Sequence, residues 1–308
     1  MDWIEPASID IPAALQDLHP LVAQRLLRNG LRTPAAALAF LDAHAYHPSP
    51  AIELPGLASI ADRLEAAIHS HESICVWGDF DADGQTSTTI LVQTLQELNA
   101  EVSFHIPVRE TESHGVNLPH LQQVIEHGAK IILTCDTGIN ALAAADYART
   151  HAVEMLITDH HDLPKSLPQA AGITDPKLLP DGHPLATLSG SGVAYKLAEE
   201  LYGRFRRPDE VYRMVDLAAL GLVADLARLT GDARYLVQLG LESLRNTQRL
   251  GLQVMMEMAE LSTSALTEEH IGFVLAPRLN ALGRLADANP AVELLTTSDR
   301  SRARVLAT

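Results

Sequence analysis

Cysteine is scarce: the 308 residues hold two, Cys75 and Cys135. Both fall inside short apolar runs that read as buried strands, where a thiol is more often a small core residue than a ligand or a disulfide partner. Neither is a favoured site residue. Long apolar runs are missing too: none approaches the roughly 18 residues needed to cross a bilayer, and Met1-Asp2-Trp3-Ile4-Glu5 lacks the basic start of a signal peptide. The chain therefore reads as cytoplasmic, with no membrane partner. Basic residues are outnumbered, 23 Lys and Arg against 39 Asp and Glu, for a net charge of −16. Phosphate neutralisation needs clustered Lys and Arg, so a broad non-specific nucleic-acid surface is disfavoured and only a local groove stays open.

Hydrophobic residues make up 47% of the chain, which rules out general disorder, and the length is enough for two domains with buried cores. Of the 14 histidines, most, such as His19, His44 and His47, read as surface residues of loops or polar helix faces. Only the pair His160-His161 has a context. The stretch that organises the rest is Cys75-Val-Trp-Gly-Asp79-Phe-Asp81-Ala-Asp83-Gly84, a short apolar run ending in three alternating aspartates before a Thr/Ser-rich helix start. Three carboxylates so close repel one another, a cost that a cation compensates, and hard oxygen ligands suit Mg²⁺ or Mn²⁺. A solvated acidic turn is the alternative for such a short motif. The strand before it favours the cation reading, because open α/β sheets bind ligands at the carboxyl ends of their strands.

From residue 73 to about 175 the pattern alternates strand and helix: strands at 74–77, 102–106, 131–135 and 153–158, helices at 86–98, 118–127 and 141–150. This predicts a doubly wound parallel sheet. Asp79, Asp136 and Asp159 each follow a strand, and right-handed crossovers bring such ends to one edge. His160 and His161 add imidazole there; neighbours at a strand end point to opposite sides, so different roles are expected of them.

The flanks are helical. Residues 1–55 form an N-terminal helical segment, with Thr33-Pro34 reading as a cap followed by proline at the first helical position, and residues 56–69 read as an amphipathic helix entering the first strand. Ser189-Gly-Ser-Gly192 opens a helix at 193–201, either as a tight capped turn or as an anion site. A helix at 211–223 ends at Asp225, a cap or a metal ligand. Residues 236–258 read as helix. In Pro277-Arg278-Leu-Asn280-Ala-Leu-Gly-Arg284, two arginines and an asparagine read as a phosphate or sugar clamp, with surface ion pairing as the alternative. The expected division is 1–55, a 56–230 α/β domain, and a 231–308 helical connector that stops in mid-helix.

These segments, in this order, resemble the DHH phosphoesterase superfamily and, within it, the RecJ family of single-strand-specific 5′→3′ DNA exonucleases, over about residues 55–308. Asp79-Phe-Asp-Ala-Asp-Gly84, Thr134-Cys-Asp-Thr-Gly-Ile139, Asp159-His-His161 and Gly221-Leu-Val-Ala-Asp225 match the superfamily's four motifs, which oligoribonucleases, cyclic dinucleotide phosphodiesterases and pyrophosphatases share. Gly190-Ser-Gly-Val-Ala-Tyr-Lys196 and the 277–284 stretch point to RecJ. The resemblance implies two Mn²⁺ or Mg²⁺ ions among Asp79, Asp81, Asp83, Asp136, His160 and Asp225, with Asp136 bridging. Asp136, Asp159, His160 and His161 would be the catalytic set. It also implies that His161 contacts the scissile phosphate, that Arg109, Arg278 and Arg284 hold the DNA backbone beside Asn280, and that partners include single-stranded DNA and a single-strand-binding protein or helicase. The chain departs from the family at His114-Gly115, where Tyr-Gly is usual, and at Leu226-Ala-Arg-Leu229. Family members are longer, with a Gly-Gly-His domain and an OB-fold, so the reading is of a fragment with half a substrate groove.

Overall fold

The computed structural model describes residues 7, 9–285 and 287–308. Contacts divide the chain into Met1–Pro48 and Ser49–Thr308. In the first unit α1 (Pro20–Arg28) and α2 (Pro34–Leu41) both begin with proline, and the Thr33 hydroxyl accepts the Ala36 N–H at 3.2 Å as the expected cap. Leu15, Ala23, Leu26, Leu27 and Ala37 form its small core.

The second unit opens with α3 (Leu57–Ser70), which buries Leu57, Ile60, Leu64 and Ile68 on one stripe. Then come β1 (Ile74–Trp77), α4 (Ala82–Glu97), β2 (Val102–His105), α5 (Arg109–Glu112), α6 (Leu118–Glu126), β3 (Ile131–Cys135), α7 (Leu142–Thr150), β4 (Glu154–Thr158) and β5 (Gly172–Thr174). The strands make one sheet in the order β2-β1-β3-β4-β5, each pair parallel. Strands covered on both faces need apolar side chains throughout, and β1 and β3 are buried along their whole lengths. Cys75, Trp77, Ile132, Met155 and Ile157 pack with Leu121 and Ala144 on one side; Ile74, Val76, Ile131, Leu133 and Leu156 pack into the larger core on the other. The doubly wound parallel α/β fold expected from the alternation is the fold of this unit.

The remaining helices are α8 (Gly190–Arg204), α9 (Val215–Ala224), α10 (Gly231–Arg245), α11 (Leu250–Met258), α12 (Glu268–His270), a π-turn at Ile271–Leu275 running into α13 (Ala276–Leu285), α14 (Asn289–Thr296) and α15 (Arg300–Leu306). The stretch read as one helix at 236–258 is broken at residues 246–249, where Arg249 Nε and the Thr247 hydroxyl both donate to the buried Asp216 carboxylate at 3.1 Å. That pairing outweighs the helix propensity of the segment. The sequence suggested divisions near 55 and 230; the larger core instead runs from Ala51 through Ala303. Among the described residues no helix is long and apolar enough to cross a membrane.

Helix α4 is buried almost all round despite its Thr and Ser. Thr86, Thr88 and Thr89 donate to the carbonyls of Ala82, Gly84 and Gln85 at 2.7–2.8 Å, so each hydroxyl is satisfied within its own helix. Close helix crossings use glycine. A Cβ at Gly240 of α10 would come within 2.2 Å of Ala219 Cβ and 2.6 Å of the Val215 carbonyl oxygen, whereas one at Gly203 of α8 meets nothing within 4 Å. Alanine favours a helix over glycine by about 1 kcal/mol, and overpacking costs about 1–3 kcal/mol. Gly203→Ala should therefore raise the thermal unfolding midpoint and Gly240→Ala lower it. Midpoints that move together in thermal scans would contradict the close approach of α9 and α10.

Candidate metal centre

The strand register sets the geometry. Trp77 of β1 pairs with Thr134 of β3, Thr134 with Ile157 of β4, and Ile157 with Ile173 of β5. Two residues beyond each member of that row stand Asp79, Asp136, Asp159 and Asp175. Four carboxylates thus lie level along one sheet edge, where the strand order reverses between β1 and β3 and leaves the crevice that open sheets use for ligands. Three of them are legible from the sequence. Asp175 is harder to find because β5 is three residues long, although an aspartate between a short apolar run and Pro176 is the same signal.

The acidic stretch runs from a short bend into a helix: Asp79 and Asp81 lie between β1 and α4, and Asp83 lies in the first turn of α4. Helix α4 begins at Ala82, four residues before the expected start, because Asp81 caps it by accepting the Gly84 N–H at 2.9 Å. Asp79 accepts the Phe80 N–H at 2.7 Å. Asp83, in the first turn, is fully buried and accepts from the Ser189 hydroxyl at 2.9 Å and from the N–H groups of Gly190 and Ser191 at 2.7 and 3.0 Å. The Gly/Ser turn that read as a possible anion site therefore holds an anion of the chain itself, at the positive end of α8, which starts at Gly190 rather than 193. Two glycines make the space: a Cβ at Gly190 would lie 2.5 Å from Asp136 Cβ, and one at Gly221 would lie 2.2 Å from Asp83 Oδ1.

His160 sits among these carboxylates. Its Nε2 is 2.9 Å from Asp136 Oδ1 and 3.8 Å from Asp83 Oδ2, and its Nδ1 is 3.7 Å from Asp225 Oδ2. Asp136 itself has φ 59, a left-handed conformation that costs strain in a residue with a side chain. His161 stays close to the centre, with a ring nitrogen within 4.8 Å of ligand atoms of Asp136 and His160, and it also lines an open cavity of 630 Å³ whose walls include Asp79, His114, Gly138 and Asp159. Its Nδ1 lies 2.7 Å from Asp159 Oδ1. Asp159 also accepts the N–H groups of His160 and Ile139 at 2.8 Å, so it orients His161 and the β3–α7 turn rather than facing His160's nitrogens.

The charges bear on one another. Burial and then Asp83, Asp81 and Asp79 push the Asp136 carboxyl well above its ordinary range. Burial, with Asp81 beside it, raises Asp79 to about 6, and partial burial with Asp83 raises Asp225 to about 6. Burial brings Asp175 up to about 7. The opposite pair is Asp159 and His161: their hydrogen bond raises the imidazole to about 9, and against the effect of burial it holds the carboxyl below its usual value. The centre has more negative charge than the protein compensates, with oxygen donors and one imidazole, the composition that suits Mg²⁺ or Mn²⁺.

The expected clamp residues divide. Arg109 is exposed, its guanidinium 5.2 Å from the Phe80 ring centre. Asn280 Oδ1 accepts the Ala82 N–H at 2.7 Å, so it holds the start of α4 from α13. Arg284 is exposed one turn later. Arg278 is exposed, donates to the Val274 carbonyl at 2.8 Å and lines an apolar cavity of 320 Å³ with Met255, Leu282 and Leu306.

A model of the DHH family N-terminal domain matches residues 73–222. The single-stranded-DNA-specific exonuclease RecJ of Bacillus subtilis (strain 168) is 41% identical over 307 residues, 98% of this chain and 38% of that protein. RecJ of Thermus thermophilus is 36% identical over 259 residues, 84% of this chain and 38% of that protein. The chain thus spans 38% of the length of both curated relatives. Among solved structures, RecJ from Thermus thermophilus in complex with Mn²⁺ matches with a TM-score of 0.81 at 33% identity, over 96% of this chain and 42% of that one. An exonuclease RecJ bound to manganese matches with a TM-score of 0.78 at 35% identity, over 84% of this chain and 66% of that one.

A carboxyl whose folded value is raised makes the folded chain bind its proton more tightly than the unfolded chain does. The stability it lends is then full below the ordinary carboxylate value and is lost as pH rises through about 6 for Asp79 and Asp225, and higher for Asp136. Asp136→Asn removes the most perturbed of these charges while keeping an acceptor for His160. In EDTA, its thermal midpoint relative to the native chain should climb between pH 4.5 and 7.5. A difference that stays flat across that range would mean the carboxylates do not repel as described.

Proposed function

We propose, for a chain that belongs to the RecJ family of DHH proteins, the function of a metal-dependent exonuclease core that hydrolyses phosphodiester bonds of single-stranded DNA. The observation that carries the reading is the set around His160: Asp83, Asp136 and Asp225, with Asp79 and Asp81 beside them, at the crevice of a doubly wound sheet. Two Mn²⁺ or Mg²⁺ ions held there would supply the Lewis acidity that activates a water and stabilises a leaving oxygen. Asp136, reaching His160 while crowded by Asp79, Asp81 and Asp83, is the residue suited to be shared between ions.

His161 has a different task. Asp159 takes its Nδ1–H, and with a value raised to about 9 the ring is protonated at neutral pH, leaving the Nε2–H for a phosphate oxygen in the cavity. Arg109 and Arg284, both exposed, would meet the strand backbone; against a net charge of −16 they neutralise few phosphates, so single-strand binding by this chain alone is weak and only shallowly dependent on salt. A helicase or single-strand-binding protein is the kind of partner that would present such a strand.

Hydrolysis of 5′-labelled single strands, duplex and dinucleotides with Mn²⁺ tests the reading. Single strands should be cleaved, and cleavage should stop in EDTA. Hydrolysis of dinucleotides alone would point to a phosphodiesterase for short oligonucleotides, and inertness toward all three to a non-catalytic binding role.

The two histidines should separate in kinetics. His160→Ala should weaken Mn²⁺ affinity about tenfold or more. His161→Ala should lower kcat about 10²–10³-fold with Mn²⁺ affinity nearly unchanged. Equal losses of metal affinity in Mn²⁺ titrations of both variants would refute this division.

A further inference from the structure

A second group of ligating side chains, none of them used so far, gathers beside Trp77: His105 at the end of β2, Glu112 at the end of α5 and His120 in the first turn of α6. His105 Nε2 is 2.8 Å from Glu112 Oε2, and His120 Nδ1 is 3.8 Å from the same oxygen. The two imidazoles stack, with ring centres 3.7 Å apart, and Trp77 meets both edge-on at 4.5 and 5.8 Å. We propose that His105, Glu112 and His120 form a separate binding site for a late first-row divalent cation of the Zn²⁺ type, which pins the segment carrying Arg109 and His114.

The donor chemistry selects the ion. Two imidazoles and one carboxylate are a Zn²⁺ set, completed by water, whereas the carboxylate-rich centre at Asp136 suits Mg²⁺ or Mn²⁺. The two sites thus sort metals by ligand type. Burial holds the His105 imidazole in its neutral, ligating form more than is usual, and Glu112 is anchored by the Val108 N–H, which donates to its Oε1 at 3.2 Å. A cavity of 250 Å³ walled by both imidazoles, Gln123 and His127 opens beside the group. An ion must lie in the plane of each ring it binds, so His120, whose side chain is one third exposed, tilts out of the stack as the ion enters. Glu112 ends the helix that Arg109 begins, and both Arg109 and His114 rest on Phe80 within the acidic stretch. An ion at Glu112 therefore fixes the segment that carries Arg109 and His114 beside the acidic crevice.

The experiment uses the full chain in an Asp136→Asn, His160→Ala background that weakens the acidic centre, with Trp3→Phe leaving Trp77 as the single tryptophan. Zn²⁺ alone is titrated against a chromophoric chelator, and Co²⁺ is followed by quenching of Trp77 fluorescence. One Zn²⁺ equivalent and Co²⁺ quenching are expected, and Glu112→Gln and His120→Ala should each weaken both by at least about tenfold. Circular dichroism without metal establishes that the variants are folded; His120→Ala, at a partly exposed position, is the variant that decides if Glu112→Gln does not fold. Absence of Zn²⁺ binding in the background chain, or the same affinity and quenching with and without His120, overturns the proposal.

Discussion

The Asp83 carboxylate, buried against the first N–H groups of α8, is the interaction on which the rest of the centre depends. It joins the first turn of the helix after β1 to the first turn of a helix more than a hundred residues later. An ionised carboxylate without partners would not be tolerated at that depth. Because α8 supplies three donors, Asp83 can stay in place while Asp79, Asp136 and Asp225 hold their protons more tightly than usual, a cost that a cation in the crevice would relieve. Gly190 and Gly221 fit the same crowding, since a Cβ at Gly190 would run into Asp136 and one at Gly221 into Asp83 and Ser191.

Much of this is legible in the chain. Apolar runs ending in aspartate announce parallel strands whose carboxyl ends share an edge, and the pairing register places Asp79, Asp136 and Asp159 level. His160 and His161 differ in their hydrogen bonds, His160 meeting Asp136 and His161 meeting Asp159, although both rings come within ligand distance of Asp136. The pattern fails where tertiary partners decide. Gly-Ile-Thr is too short to read as a strand, so β5 and Asp175 go unread. The Gly190 turn shows an affinity for anions but not that the anion is Asp83. Asn280 reads as a ligand-facing amide because its motif contains arginines, whereas its oxygen belongs to the backbone of α4. The break between α10 and α11 depends on Asp216, which lies some thirty residues upstream in another helix and leaves no trace in local periodicity.

Polar groups also explain why so much of the second unit can be buried at modest aromatic content. Thr86, Thr88 and Thr89 of α4 return their hydroxyls to the preceding turn, and Lys196, fully buried, is held by Asp232 at 3.1 Å and by the Ser49 carbonyl at 2.8 Å. Such satisfied groups let helices approach closely and fix one packing arrangement over alternatives that would leave them unpaired.

The close approach of α13 to the acidic stretch has a bearing on synthesis. Asn280 caps α4, Gln85 Nε2 donates to both the Phe80 and Leu279 carbonyls, and the backbone of Gly283 lies against the Phe80 carbonyl. The turn between Asp79 and Asp83 therefore has its final shape only once residues some two hundred positions later have emerged and docked. A ribosome delivers a chain vectorially, at about 5–20 residues per second, so for roughly 10–40 seconds after the first motif appears its carboxylates lack the helix that sets them. In the latter half of that interval the nascent chain already carries every strand of the sheet yet not an assembled centre, which forms only when its last contributing helix arrives.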